Sequence, residues 1–146
     1  MENILQIESE VAPALQQSYR ETEYKTFGDE PLTLRVGEAC PALATLHKQH
    51  RVDCSAFITA YNPLGEDIGE AANAERHADL GRELGHRSLA NIEGIGEHPF
   101  NGHPGEASYL IFGLTLEAAK TLGARLEQNA IIWSGVDAVP QLVLLR

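Results

Sequence analysis

The side chains best suited to bind or activate a small molecule lie mainly in the second half of this sequence. Arg76 can hold a carboxylate or a phosphate through two parallel hydrogen bonds, and Glu106 can act as a general base or as an acceptor that orients a ligand. We therefore interpret Glu106 as the candidate catalytic residue. The candidate ligand-binding residues are Asn62, Asn73, Arg76, His77, Ser108, Gln128 and Asn129.

His98 and His103 lie in a segment rich in glycine and proline, residues 96–105, directly before Glu106. Imidazole and carboxylate groups are common ligands of zinc, so this segment is a secondary candidate for a metal site. The same composition is also typical of a plain mobile connection. No cofactor is predicted, because the sequence lacks a phosphate-binding glycine loop, a dinucleotide fingerprint, a nucleophile elbow and an HExxH segment.

The elements that must position these residues are read from the hydrophobic pattern between residues 55 and 133. The expected elements are, in order, a strand at 55–61, a helix at 66–85, a strand at 89–95, a strand at 107–113, a helix capped by Thr115 and ending near residue 127, and a strand at 130–133. The order strand, helix, strand, strand, helix, strand predicts a split ferredoxin-like unit.

The rest of the chain is expected to extend this unit into one mixed, mainly antiparallel sheet of the α+β class. Apolar residues at helical spacing predict an N-terminal helix over residues 2–18, and alternation of Leu32, Leu34 and Val36 predicts a strand. A helix from Pro41 to about residue 50 and a strand at 141–145 are also expected. Two positions of the N-terminal helix remain open, one at a sheet edge and one over the end of the sheet.

Following the chain direction through these elements places five of the candidate residues at one end of the sheet. They are Asn62, Glu106, Ser108, Gln128 and Asn129. In the helix at 66–85, Asn73, Arg76 and His77 share one stripe with two leucines, and an inward stripe that turns polar near its start indicates a pocket wall. The competing interpretation is structural: Asn62 as a turn residue before a proline, and Arg76 with Glu106 as an ion pair.

Composition bounds the class of protein and its partners. A length of 146 residues without a long linker predicts a single domain over residues 1–146. The net charge of -10 disfavours nucleic acid, because phosphate backbones are bound by clustered basic residues. The sequence contains no apolar run long enough to span a membrane and no signal-peptide pattern, so we expect a cytoplasmic protein without a membrane partner, in which Cys40 and Cys54 are reduced.

Four short motifs stand out along the chain: Tyr19-Arg20, Phe57-Ile-Thr-Ala-Tyr-Asn-Pro63, Asn73 with Arg76, and Gln128-Asn-Ala-Ile-Ile-Trp133. Together they resemble an uncharacterised bacterial family of domains of unknown function, over nearly the whole chain. The resemblance implies one domain, and it implies no activity.

The sequence favours a domain that binds a small polar or anionic ligand at one end of the sheet, with hydrolytic or transfer chemistry through Glu106 or a loop histidine left open. One alternative is a protein-interaction or regulatory module that uses the acidic surface and the N-terminal helix, either with a partner or in a homo-oligomer. The other is a metal-dependent enzyme that uses His98 and His103.

Overall fold

The computed structural model describes residues 9–146, which fold around a seven-stranded sheet. The helices are α1 (Pro13–Glu21), α2 (Pro41–Gln49), α3 (Glu70–His86) and α4 (Leu116–Arg125). The strands are β1 (Glu23–Thr26), β2 (Thr33–Leu34), β3 (Ser55–Thr59), β4 (Asn91–Glu97), β5 (Glu106–Phe112), β6 (Ala130–Ser134) and β7 (Gln141–Leu144). These elements confirm the α+β class expected from the sequence.

The strands lie in the order β2-β1-β4-β5-β3-β6-β7, and each neighbouring pair is antiparallel. The expectation of a mixed sheet is therefore wrong for the described strands. The central pair fixes the register of the site, because Thr59 of β3 lies opposite Ser108 of β5. Side chains alternate between the two faces along each strand, so this pairing also fixes which residues share a face.

The two helices that follow the central strands cover one face of the sheet. Leu80 and Leu84 of α3 and Leu122 of α4 pack there against Ile58 and Ile111. All five side chains are at most 2% exposed, and this cluster forms the larger part of the core. The leucine half of the predicted α3 stripe therefore faces the core as expected.

The opposite face of the sheet is only partly covered by α2. Leu43 of this helix packs against a cluster that includes Phe57, Leu110 and Tyr24. Glu106 and Ser108 have the same strand parity as Leu110, so their side chains point to this second face. The second face of the sheet therefore has a polar end at Glu106 and Ser108 and an apolar end at the cluster around Leu110.

The first helix begins later than the hydrophobic pattern predicts. Proline occupies the first helical position of α1, and Ala12 before it has an extended backbone, with ψ at 142°. Proline lacks the N–H of a helix interior and disfavours helical geometry in the preceding residue, so a helix that ran through Pro13 would be broken there. The remainder of the predicted helix, at residues 2–8, lies outside the described residues.

The third helix also begins later than expected, at Glu70 instead of residue 66. Residues Pro63–Gly65 form a short 3-10 turn, and Gly69 has φ at 91°, outside the helical region. Glycine adopts such a backbone without steric cost, so Gly69 separates the turn from the helix. None of the helices between residues 9 and 146 combines the length and apolar character needed to cross a membrane.

Candidate functional site

A cavity of about 490 Å³ lies on the second face of the sheet, between the strands, α1 and the loop before β5. Thr59, Glu106 and Ser108 line it from the central strands, and Leu15, Ser18 and Tyr19 line it from α1. The remaining lining residues are Thr22, Tyr24, Phe57, Tyr61, Asn62, Gly65, Asp67, Gly96, His98, Asn101, His103, Pro104, Gln128, Asn129, Ala130, Ile131, Ile132 and Leu142. The first helix thus lies over the end of this face, which decides between its two predicted positions.

Glu106 is held at the cavity by a chain of two asparagines. Asn62 donates from Nδ2 to Glu106 Oε2 at 2.9 Å, and Asn73 Nδ2 donates to Asn62 Oδ1 at 2.6 Å. The backbone N–H of Asn62 donates in turn to Asn73 Oδ1 at 2.8 Å. This reciprocal pair fixes Asn62 in a left-handed conformation, with φ at 48°, which Asn adopts more readily than most residues. The asparagines therefore orient the carboxylate of Glu106.

Burial raises the pKa of Glu106, and the hydrogen bond from Asn62 opposes this effect. The second carboxylate oxygen, Oε1, receives no hydrogen bond from residues 9–146. A partly desolvated carboxylate with one unused oxygen has lost hydration that the protein replaces only in part. The geometry therefore leaves Glu106 able to accept a hydrogen bond or a proton from a molecule in the cavity.

Three tyrosines line the same cavity as this carboxylate. Tyr61 donates from its hydroxyl to Glu70 Oε2 at 2.9 Å, and Tyr24 donates to the carbonyl of Tyr19 at 2.7 Å. The hydroxyl of Tyr19 accepts from Asn129 Nδ2 at 3.2 Å. Burial raises the pKa of each tyrosine, and the negative charge of Glu106 adds to the rise. The tyrosines are therefore neutral near pH 7, with their rings and hydroxyls available at the cavity.

Gln128, Asn129 and Ser108 complete the polar end of the cavity, as the chain direction predicted. Gln128 donates to the carbonyl of Tyr61 at 3.0 Å, which ties the start of β6 to the end of β3. Asn129 accepts from Arg146 Nη1 at 2.8 Å, and the hydroxyl of Ser108 donates to the carbonyl of Glu106 at 2.9 Å. The structure therefore brings these three residues together with Asn62 and Glu106.

Arg76 does not line this cavity, and it does not form the ion pair with Glu106 that the competing structural interpretation offered. Its Nε donates to the carbonyl of Ala60 at 2.7 Å, and its Nη2 donates to the carbonyl of Leu126 at 2.6 Å. The helix that carries Arg76 packs on the opposite face of the sheet from Glu106. The guanidinium group therefore joins β3 to the end of α4 and is not placed to hold an anion in the cavity.

His77 and Asn73, the other polar members of the α3 stripe, do not line the cavity either. The ring of His77 stacks on Tyr109 with centroids 4.3 Å apart, and its Nε2 lies 2.9 Å from Glu93 Oε1. Asn73 acts on the cavity only through Asn62. The stripe lies on the far side of the sheet, so neither residue forms a wall of this cavity, and a role of Asn73 or His77 in ligand binding stays a prediction.

The two loop histidines line the cavity, and His98 is held there by hydrogen bonds. His98 Nε2 lies 2.8 Å from Glu21 Oε1, and its Nδ1 accepts from the backbone N–H groups of Phe100 and Asn101 at 3.1 and 3.2 Å. Both ring nitrogens are thus engaged, with the proton on Nε2 in the neutral ring. No cluster of three potential metal ligands occurs within residues 9–146.

Replacing His98 with Ala is expected to loosen the loop that closes one side of the cavity. The substitution removes the acceptor of two backbone N–H groups and the contact with Glu21 on α1. A lost hydrogen bond costs on the order of 1 kcal/mol, so amide exchange at Phe100 and Asn101 should accelerate about fivefold or more. Hydrogen–deuterium exchange of residues 97–105 measures this.

His103→Ala is the matched control, because His103 is exposed and its ring makes no hydrogen bond to residues 9–146. It should leave the exchange rates of Phe100 and Asn101 unchanged. Equal exchange in wild type and His98→Ala would show that the His98 contacts do not hold the loop.

The main residues missed by the sequence interpretation are Tyr19 and Tyr24, together with the other α1 residues at the cavity. Tyr19 belongs to a motif of the family resemblance, which was the available signal, but its place over the sheet could not be derived. Tyr61 was interpreted as core or pocket wall, and it lines the cavity.

The comparisons with known proteins give one match. The sequence model of a family described as "Protein of unknown function (DUF3293)" matches residues 58–131, which is half of the chain. This match is shorter than the resemblance seen in the sequence, and Tyr19-Arg20 lies outside it. No curated protein and no solved structure matches the chain.

Proposed function

The chain belongs to the DUF3293 family, and we propose that it binds a small polar molecule in the cavity between α1 and the sheet, with Glu106 as the main polar contact. The observation that carries this proposal is the carboxylate itself. Two asparagines orient it, burial raises its pKa, and Oε1 has no hydrogen-bond partner among the described residues. A partly buried carboxylate with an oxygen that lacks a hydrogen-bond partner does not stabilise the fold. The same oxygen can accept a hydrogen bond from a bound ligand.

The cavity also has the general form of a small-molecule site. Its volume of about 490 Å³ lies in the range of ligand pockets, and few polar groups stand among apolar side chains such as Phe57, Ile132 and Leu142. The apolar part can bury the body of a ligand, and the polar end can orient it. Reaction chemistry at Glu106 as a general base belongs to the same proposal, since its raised pKa suits proton transfer better than that of an exposed carboxylate.

A ligand screen by thermal shift tests the proposal. At least one class of small metabolites should raise the Tm of the wild-type protein by a few degrees, following the linkage between binding and stability. The variant Ala130→Phe places a ring in the cavity, because Ala130 lines it from β6, and this variant should lose the response. Circular dichroism checks that the variant is folded.

Ala74→Phe is the matched control, since Ala74 is exposed on α3 and does not line the cavity. It should respond to the same ligands as wild type. A screen without any hit, or hits that Ala130→Phe retains, would contradict binding at this cavity.

We also propose that residues 55–133 form a split ferredoxin-like unit. In such a unit the first and third strands are central and the second and fourth flank them. The order β4-β5-β3-β6, with α3 and α4 on one face, supports this assignment. The cavity would then lie on the face that the two helices of the unit leave open.

A further inference from the structure

Several hydrogen-bond donors of the cavity lining already have acceptors within the protein. Ser108 and Thr59 donate their hydroxyl protons to the carbonyls of Glu106 and Ala107. Gln128 Nε2 donates to the carbonyls of Tyr61 and Leu126, at 3.0 and 3.3 Å. These donors are satisfied within the protein, so a ligand finds few protons to accept from them.

Two of the three tyrosine donors are committed in the same way, whereas the hydroxyl of Tyr19 accepts from Asn129 and keeps its own proton. The hydroxyl protons of Tyr61 and Tyr24 go to Glu70 and to the carbonyl of Tyr19, which leaves the hydroxyl oxygens as acceptors. Asn62 and Asn129 each use one amide hydrogen within the protein. Oε1 of Glu106 is a carboxylate oxygen of the lining that receives no hydrogen bond from the described residues, and it is a strong acceptor for a charged donor.

The charge of the lining has one sign. Glu106 and Asp67 contribute carboxylates, and none of the lining residues between positions 9 and 146 is Lys or Arg. The cation bound at the edge of the cavity, Arg146, donates to Asn129 and lies 3.5 Å from Glu10 Oε1, so its charge is partly balanced outside the cavity. His98 accepts two backbone hydrogen bonds through Nδ1 and lies beside Glu21 on α1 through Nε2. An anion would therefore meet repulsion here, and a cation would meet attraction.

We propose that the ligand is a small organic amine whose protonated nitrogen donates to Glu106 and whose apolar part packs against Leu15, Phe57 and Ile132. This inference rests on the proposed function and names its ligand class. A charged N–H donor satisfies Oε1 with a charge-assisted hydrogen bond, and the neighbouring tyrosine rings favour a cation as well. The anionic ligand considered from the sequence depended on Arg76, which is bound to two carbonyls.

Four probes with one common skeleton test this ligand class: benzylamine, benzyl alcohol, benzoate and benzyltrimethylammonium. NMR titration of the full chain should show benzylammonium binding about tenfold or more tightly than benzyl alcohol, and benzoate binding most weakly. Benzyltrimethylammonium, which has no N–H, should bind more weakly than benzylammonium. Because the net charge of -10 attracts cations to the whole surface, the shift changes must fall on cavity residues.

Glu106→Gln isolates the charge, because glutamine retains an acceptor for Asn62. It should weaken benzylammonium about tenfold or more and leave benzyl alcohol within about twofold. Equal affinities of amine, alcohol and benzoate, or amine binding unchanged in Glu106→Gln, would overturn the amine assignment. If another metabolite class binds in the cavity and is lost in Ala130→Phe, only the amine assignment fails. If no probe and no metabolite binds, the proposed function fails with it.

Discussion

Replacing Arg76 with Met is expected to lower the free energy of unfolding by about 2–4 kcal/mol, because two carbonyls lose a charged donor at once. Ala60 is fully buried at the end of β3, so its carbonyl cannot recover a full hydrogen bond to water. Leu126 is the C-cap of α4, where the partial negative charge of the helix end favours a cation. Urea denaturation of both proteins measures the difference.

Two further variants separate the geometry of Arg76 from its charge. Arg76→Lys should recover only part of the loss, since a single ammonium group does not reproduce the planar fork that reaches both carbonyls. Arg82→Met, on the exposed side of the same helix, should change the stability little, because the ion pair of Arg82 with Asp79 lies at the surface. A stable Arg76→Met protein that loses anion binding would show instead that Arg76 is a ligand residue.

The order of elements between residues 55 and 133 could be predicted because each element carries a strong local signal. β3 is buried on both faces, as its apolar run indicates. Thr115 accepts a hydrogen bond from the N–H of Ala118 and begins α4, as its residue type predicts. With strand and helix boundaries known to a few residues, chain direction alone brings Asn62, Glu106 and Asn129 to one end.

The assignment of residues to the two faces of the sheet could not be obtained in the same way. Helical periodicity shows that Asn73, Arg76 and His77 share a stripe with Leu80, and the structure agrees. It does not show which face of the sheet the stripe covers. Whether Glu106 lies on that face depends on strand parity, and a shift of one residue reverses it. The interpretation of Arg76 and Glu106 as an ion pair is wrong for this reason.

The contacts that the first helix makes at the cavity could not be predicted from the sequence either. Its contacts with the cavity join residues far apart in sequence, such as Tyr19 and Asn129, which are separated by 110 positions. The His98–Glu21 contact spans 77 positions. No local pattern encodes such pairs, since each partner alone is a common surface residue. Only the structure therefore shows that the tyrosines line the cavity and that α1 covers one side of it.

Replacing Glu106 with Gln is expected to raise the free energy of unfolding at pH 7 by on the order of 1 kcal/mol, or roughly 3 °C in Tm. Burial raises the pKa of Glu106, so the native protein holds a proton there more tightly than the unfolded chain does. Ionisation of this group at neutral pH therefore costs stability. Glutamine removes the charge and still accepts from Asn62 Nδ2.

The pH dependence identifies the cause of this gain. The contribution of Glu106 to wild-type stability decreases as pH rises from its unfolded pKa to its raised folded pKa, and Glu106→Gln lacks this decrease. The difference between the two proteins should thus be small below that interval and constant above it. Urea unfolding at a series of pH values measures it, with Glu75→Gln, an exposed substitution on α3, as the matched control.

A Glu106→Gln protein that is less stable than wild type at pH 7 would mean that the carboxylate is already compensated, and the cavity would lose its strongest reason to bind a cation. Higher stability together with weaker amine binding is the opposite result. It would show that the charge of Glu106 lowers the stability of the fold and strengthens ligand binding, as expected of a group that is retained for binding. Glu106→Gln therefore tests, in one protein, the stability cost of this charge and its contribution to binding in the cavity.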